Sequence, residues 1–280
     1  MIMVFKEFIP GQLNIFHYLL AQSDWLNTKI YQNDFFFLDL WSIVHVWTGF
    51  MLLILLRLFK IRRVFTIMFL ILLMIGLLEI LSGHLAPDIF RPEIFEVRFI
   101  DLFLGMTGGL FAELFLRSAS GSIAKHERGI LSIIAFLAAF TYSFAWVGFY
   151  RYNYNIRLCN FPGINLTALV LWTSGSYSTI MFYRFLEGRN IFVRWLVTWS
   201  AYLFVLFIVE FTGYFIFRLH ENSVPDAKAL AFGLIHGTNV LHFFYLTSPV
   251  YTISLFIFFR WLVYSNIYNF RLLSFNTFSN

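Results

Sequence analysis

Four ionisable side chains fall inside apolar segments that are long enough to cross a membrane: His45, Glu79, Asp101 and Glu210. Each lies within about two helical turns of the same side of the membrane, which the charge pattern below identifies as the outer side. An ionisable group costs a few kcal/mol near the bilayer centre, so such groups are candidates for function by default. A site at the outer interface could bind a metal, or serve an enzyme or a binding protein. The alternative is that these groups form ion pairs with one another.

A metal site would have to draw on residues that are scattered along the chain: His45, Glu79, His84, His220 and His236. The sequence has no His-x-x-His, Glu-x-x-His or His-Glu-x-x-His motif that would hold two of them together. A haem between two histidines would need a histidine near the middle of two spans, and only His45, His236 and His242 could serve. The single cysteine, Cys159, excludes a disulfide within the chain, a cysteine zinc site and an iron–sulfur cluster. We therefore predict no metal and no directly bound cofactor.

The composition of the chain is that of an integral membrane protein. Of its 280 residues, 60% are hydrophobic and only 12% are charged, and the mean hydropathy is +0.75. A soluble domain carries about 25% charged residues, so this chain has too little charge to cover a soluble core. The net charge of +5 does not indicate nucleic-acid binding, because the longest basic cluster, residues 60–63, lies between two apolar runs.

Seven apolar segments are predicted to span the membrane as helices of about 20 residues. They are residues 40–59, 64–82, 99–116, 129–150, 164–183, 193–217 and 229–259. The last segment is long and contains Pro249, so it is either one kinked, tilted helix or two elements, one of them re-entrant, which makes eight spans the alternative. We predict an all-α, polytopic transmembrane helix bundle over residues 40–265, with an interfacial segment before it (1–39) and a tail after it (266–280).

The charged residues predict the orientation of the chain. With the N-terminus outside, twelve of the 20 Lys and Arg residues lie on the inner side, among them Arg57, Arg117 and Arg189. Only three of the 15 acidic residues share that side: Glu113, Glu127 and Glu187. Basic residues are enriched in cytoplasmic loops. We therefore place the N-terminus outside and the C-terminus inside.

Small residues along the third span predict close helix packing. Gly105, Gly108, Gly109 and Ala112 follow a small-x-x-x-small pattern, which lets a second helix approach the backbone. This pattern indicates a tight bundle and carries no chemistry.

Residues 40–117 resemble the VanZ-like membrane proteins. The resemblance consists of spaced single residues: His45 at the head of one span, Glu79 at the end of the next, then Arg98, Asp101, Gly105 and Gly108. It implies a role at the outer leaflet that affects the cell envelope. A protein or enzyme of this kind would have its site at His45, Glu79, Arg98 and Asp101.

A second and more continuous resemblance, to cytochrome c oxidase subunit III, covers about residues 117–245. It includes the end of the fourth span around Trp146, the Pro-Gly-Ile-Asn-Leu-Thr run at 162–167, the Leu-Glu-Gly-Arg turn that ends at Arg189, Glu210, and the Ile-His-Gly run around His236. The order and the sidedness of these features agree with the family.

We prefer the second resemblance to the first, and it implies that the protein is a non-catalytic subunit. Such a subunit would pack against the haem-copper catalytic subunit, bind phospholipid and support electron-transfer-linked proton pumping in a respiratory complex. Its location would be the mitochondrial inner membrane, with a bacterial inner membrane as the alternative. We expect Glu210 and His236 to form a buried hydrogen-bonded contact between spans six and seven. Arg189 and Trp146 complete the predicted set of functional polar contacts.

Overall fold

The structure is a computed structural model of the 280-residue chain. It describes residues 26, 29–32, 37–85, 95–150, 152, 160–161, 164–217, 229–230, 235–236 and 239–277. The side chains of residues 82–85, 95–98, 118–126, 239–240 and 267–277, and those of most strand residues, lie outside this description. Most of the predicted interfacial segment, 1–39, also lies outside it.

Long helices make up most of the described chain, and the prediction of an all-α, polytopic helix bundle is confirmed. The helices are α1 (Leu40–Leu58), α2 (Val64–Leu85), α3 (Phe95–Tyr150), α4 (Leu166–Phe185), α5 (Ile191–Phe211) with a π-helical extension (Thr212–Ile216), and α6 (Asn239–Thr277). Three antiparallel pairs of very short strands accompany them: β1 (Lys29–Gln32) with β2 (Phe37–Asp39), β3 (Asn160–Phe161) with β4 (Ile164–Asn165), and β5 (Ala229–Leu230) with β6 (Ile235–His236).

Six segments of the described helices are long and apolar enough to cross a membrane, and the chain is an integral membrane protein. They are Leu40–Leu58, Val64–Leu81, Phe99–Arg117, Glu127–Tyr150, Ile191–Ile216 and Leu241–Asn266. Six of the seven predicted spans correspond to these segments. The remaining one, the fifth predicted span at 164–183, forms helix α4, which contains several Ser and Thr residues and is less apolar than the other predicted spans.

The third and fourth predicted spans lie on one helix. Helix α3 runs for 56 residues without a break, so the turn expected after residue 116 is absent. The polar run of residues 117–128 contains no proline and includes Ala, Lys, Glu and Arg, which favour a helix even though they are hydrophilic. Polarity alone therefore predicted a loop where the local propensities support a helix.

The last predicted span begins later than its apolar composition suggests. Residues 229–236 contain the β5–β6 pair, and helix α6 starts at Asn239. Gly233 and Gly237 precede Asn239 in the sequence, and each glycine costs a helix about 1 kcal/mol relative to alanine. Pro249 lies inside α6, and the indole Nε1 of Trp199 on α5 donates to the nearby carbonyl of Leu246 at 2.8 Å. Helix α6 continues to Thr277, through most of the segment that we predicted as a tail.

The chain forms two compact units. The first, which we call the proximal unit, comprises Asn14–Ile130 and Phe259–Asn280. The second, the distal unit, comprises the described residues between Leu131 and Phe258. Leu53, Met68, Ala112 and Leu116 are buried in the proximal unit. The buried residues of the distal unit include Ile134, Ala138, Val147, Ile180 and Ile253.

Helix α1 begins at a capping box, which fixes the residue at which the helix starts. The backbone N–H of Ser42 donates to Asp39 Oδ1 at 2.9 Å, and the backbone N–H of Asp39 donates to Ser42 Oγ at 3.2 Å. This reciprocal capping box satisfies two amide groups that the helix itself leaves unpaired. Burial of the Asp39 carboxyl raises its pKa above the usual value for aspartate, against the opposing effect of its hydrogen bonds with Ser42. His45 follows within the first two turns of the helix.

Candidate functional site

The structure brings together three of the four residues of the predicted outer-face site. His45 on α1, Glu79 on α2 and Asp101 on α3 all line one cavity in the proximal unit. The side chain of Arg98, the fourth residue, lies outside the described residues, although its backbone belongs to the first turn of α3.

His45 and Asp101 are in direct contact. His45 Nε2 lies 3.3 Å from Asp101 Oδ1, and about 15% of each side chain remains exposed. The indole of Trp41, one turn earlier on α1, lies beside the imidazole with the ring centres 6.3 Å apart. A carboxylate in this position can hold the imidazole in one orientation, and a fixed orientation is a requirement for a histidine in general acid–base catalysis. The pair is therefore able to move a proton at the wall of the cavity.

A close crossing of α1 and α3 positions this pair. A Cβ atom on Gly49 would collide with the backbone carbonyl of Gly105, and one on Gly108 would collide with the carbonyl oxygen of Val46. The two backbones are therefore in contact just beyond the His45–Asp101 pair. The predicted packing role of Gly105 and Gly108 is confirmed: the α1 backbone contacts both residues, and Leu72 of α2 packs on the Cβ side of Gly105.

The cavity has both polar and apolar walls. Its volume is about 130 Å³, and Thr48 and the three ionisable residues supply its polar lining. Its apolar lining comes chiefly from α2 and the start of α3: Leu72, Leu73, Ile75, Leu77, Ile80, Phe99 and Leu102. A small volume with both kinds of lining fits the polar end of a ligand and the first carbon atoms attached to it.

At the end of the α1–α3 contact away from His45 and Asp101, a buried carboxylate lies between two arginines. Glu113 is 4% exposed, and it accepts hydrogen bonds from Arg57 Nε at 3.1 Å, Arg57 Nη2 at 2.9 Å and Arg117 Nε at 2.9 Å. Sequence reasoning missed this group, since it treated the three residues only as inner-side charges. A signal was present: Arg57 and Glu113 are separated by 56 residues, which is also the spacing from His45 to Asp101. Constant spacing between two contacts indicates that α1 and this part of α3 run parallel.

No group of three or more His, Cys, Asp or Glu side chains that could hold a metal ion occurs in the described part of the chain. Glu79, although it lines the same cavity, does not complete such a group with His45 and Asp101. Three further residues of the hypothetical metal site, His84, His220 and His236, have side chains outside the described residues.

The residues predicted from the second resemblance lie in the distal unit. Trp146 is buried, donates from Nε1 to the hydroxyl of Tyr152 at 3.0 Å, and stacks on Phe244 with ring centres 4.0 Å apart. Trp172 on α4 donates to the same hydroxyl at 2.8 Å. Trp146 is thus part of an aromatic cluster that joins α3, α4 and α6.

Glu210 contacts α6 as expected for spans six and seven, through a tyrosine. The hydroxyl of Tyr245 donates to Glu210 Oε1 at 2.5 Å. His236, the partner that we predicted, contributes its backbone to the β5–β6 pair, and its side chain lies outside the described residues. The predicted contact between Glu210 and His236 therefore stays a prediction.

Arg189 lies in the turn between α4 and α5, and its side chain is exposed. The turn depends on Gly188, whose φ of +99° is rarely adopted by other residues. Arg194, one turn into α5, fixes the turn by donating to the carbonyl of Tyr183 at 2.7 Å and by stacking over the Tyr183 ring. Arg194 was not singled out from the sequence.

The described geometry therefore contains one cavity that collects ionisable side chains from three helices, in the proximal unit, and one aromatic cluster with a glutamate–tyrosine contact, in the distal unit. Comparisons of the chain with protein-family models, with curated proteins and with solved structures found no match.

Proposed function

We propose that this integral membrane protein acts on the cell envelope through the cavity of the proximal unit, with His45 and Asp101 as a general acid–base pair and Glu79 as a second carboxylate. The observation that carries the proposal is the 3.3 Å contact between His45 Nε2 and Asp101 Oδ1 in the wall of a cavity that Glu79 also lines. Residues far apart in sequence meet there, inside segments in which each ionisable group is costly.

The charges of the proximal unit support a location of this cavity at the outer face. His45 and Arg57 lie twelve residues apart on α1, a rise of about 18 Å. Arg57 is followed by Lys60, Arg62 and Arg63 in the exposed turn before α2. Since positive residues favour the cytoplasmic side, the cavity belongs at the opposite membrane face. This argument uses only α1 and α2, and it does not depend on the turn that α3 lacks.

Conservative replacement of the carboxylates tests the proposal. We expect a host strain carrying Asp101→Asn together with Glu79→Gln to become sensitive to detergents and to envelope-directed antibiotics, with a normal rate of respiration. Both changes preserve side-chain size and remove only the charge and the proton-accepting capacity. Glu187→Gln, at an exposed carboxylate, is the matched control and should leave both readouts unchanged. Wild-type envelope resistance in the double variant, at wild-type protein level, would contradict the proposal.

A second candidate function is that of a non-catalytic subunit of a respiratory complex, similar to cytochrome c oxidase subunit III. The observation that favours it is the surface of α5 in the distal unit: of its 21 residues only Thr198 is buried. A helix so exposed has a long apolar face available to a partner subunit or to lipid. Purification in mild detergent distinguishes the candidates, since co-migration with a haem-copper core supports the subunit and a solitary, monodisperse protein counts against it.

A further inference from the structure

One wall of the proximal cavity is also the lipid-facing surface of α2. Leu73 and Leu77 line the cavity and are 38% and 53% exposed. Only 17% of the span Val64–Leu81 is buried within the protein. Exposed side chains of a membrane-spanning helix contact the acyl chains of the bilayer, so the same side chains contact lipid and border the cavity.

Gly76 leaves a gap in this wall. It lines the cavity between Leu73 and Leu77, and a Cβ atom placed on it would meet no atom of the described residues within 4 Å. The glycines at the α1–α3 crossing, Gly49, Gly105 and Gly108, are in contrast tightly enclosed. Since none of the described residues packs against Gly76, the cavity is open at this point, within the described part of the chain, toward the side of the helix that faces the bilayer.

The size of the cavity limits what it can enclose. Its volume of about 130 Å³ is below the roughly 300–1,000 Å³ of pockets that enclose a whole drug-sized ligand. A head group and the first few methylene groups fit, and the rest of an acyl chain would lie outside along α2. The polar wall at His45, Glu79 and Asp101 and the apolar wall at Leu73 and Phe99 match the two halves of such a molecule.

We propose that a lipid whose polar end is an uncharged hydroxyl group enters the cavity laterally from the bilayer, past Gly76. This inference rests on the proposed function, because it names the class of molecule on which the His45–Asp101 pair acts. A hydroxyl can donate a hydrogen bond to a carboxylate, and its proton is one that an imidazole–carboxylate pair can accept. A phosphate held directly against Asp101 and Glu79 would meet two like charges. The Trp41 ring adds a flat apolar surface beside His45.

Leucine at position 76 provides the test, because it fills the gap without meeting a neighbouring atom at its Cβ. The purified protein is reconstituted in vesicles with a diacylglycerol that carries a diazirine on its acyl chain. Labelled peptides are then identified by mass spectrometry after illumination. We expect labelling at residues 73–77 and 99–102 in the wild-type protein, and a fall of about tenfold in Gly76→Leu, equivalent to a loss of about 1.4 kcal/mol in binding.

Gly175→Leu is the matched control. Gly175 lies on α4 in the distal unit, and a Cβ atom there also meets nothing within 4 Å. This variant should be labelled like the wild type at residues 73–77, and both variants should keep the melting temperature of the wild type. A photoactivatable phosphatidic acid, used as the anionic comparison, should label these residues less than the diacylglycerol does. Equal labelling in Gly76→Leu and wild type, or stronger labelling by phosphatidic acid, would overturn the proposal.

The two proposals fail in different ways. Loss of labelling in Gly76→Leu with full envelope resistance in the Asp101→Asn, Glu79→Gln strain would leave lateral lipid entry standing and refute the envelope function. Unchanged labelling in Gly76→Leu with loss of resistance in that strain would refute lateral entry and leave the envelope function standing.

Discussion

Replacing Glu113 with glutamine should lower the melting temperature of the purified protein by about 6 °C or more, corresponding to a loss of about 3 kcal/mol. Glu113 is 4% exposed and binds two arginines from two helices. Glutamine keeps the size of the side chain but removes its charge and one acceptor. The guanidinium of Arg57, only 27% exposed, would then lose its counter-charge. Tryptophan fluorescence during heating in detergent measures the effect.

An exposed ion pair of the same chain is the control for this prediction. Glu187 is 41% exposed and lies 3.4 Å from Arg194 Nη2. Exposed pairs contribute about 0–1 kcal/mol, so Glu187→Gln should shift the melting temperature by a small amount at most. Equal shifts in the Glu113 and Glu187 variants would mean that the buried carboxylate does not hold α1 against α3.

Replacing Gly49 with alanine should be the second most damaging change. The added methyl group would collide with the backbone carbonyl of Gly105, and a backbone cannot move aside as a flexible side chain can. Overpacking of this kind costs about 1–3 kcal/mol, and the separation of the helices should also disturb the His45–Asp101 contact one turn away. We therefore expect both a lower melting temperature and a loss of envelope resistance.

Gly76→Ala separates the steric effect from the change in helix propensity. Alanine favours a helix over glycine by about 1 kcal/mol at either position, but a Cβ atom at position 76 meets nothing within 4 Å. This variant should melt at or slightly above the temperature of the wild type. If Gly49→Ala behaved in the same way, the two helices could not be in backbone contact at Gly49.

The sequence was sufficient to predict the helical class and most of the spans. Long apolar runs report on the length of a helix and its burial in lipid, and the distance of His45, Glu79 and Asp101 from the ends of those runs predicts their depth in the membrane. The partners of these residues were harder to predict, because hydropathy does not say which face of a helix meets which neighbour. The glycines at 105 and 108 did identify the packing face of α3, and the constant spacing of 56 residues between contacts could have paired it with α1.

The remaining differences have local causes. A polar stretch inside α3 was predicted as a loop because hydrophilic residues occur in turns, although Ala, Lys and Glu also favour helices. The start of α6 was placed too early because apolar composition extends over the β5–β6 pair. The contact between Tyr245 and Glu210 was not predicted, because tyrosine is common in apolar helices and a hydropathy pattern does not show where its hydroxyl points.

The central claim is that His45 and Asp101, from two different helices, form one site, and chemical cross-linking tests it most directly. Cysteines are placed at both positions in a Cys159→Ser background, which has no other cysteine, and native membranes are treated with a short bis-methanethiosulfonate reagent. The control pair joins position 45 to position 103, where Phe103 is 66% exposed and lies on a different face of α3. We expect mass spectrometry to find the 45–101 peptide pair linked and the 45–103 pair not linked. Equal linking of both pairs, or no linking of 45 to 101, would contradict the account.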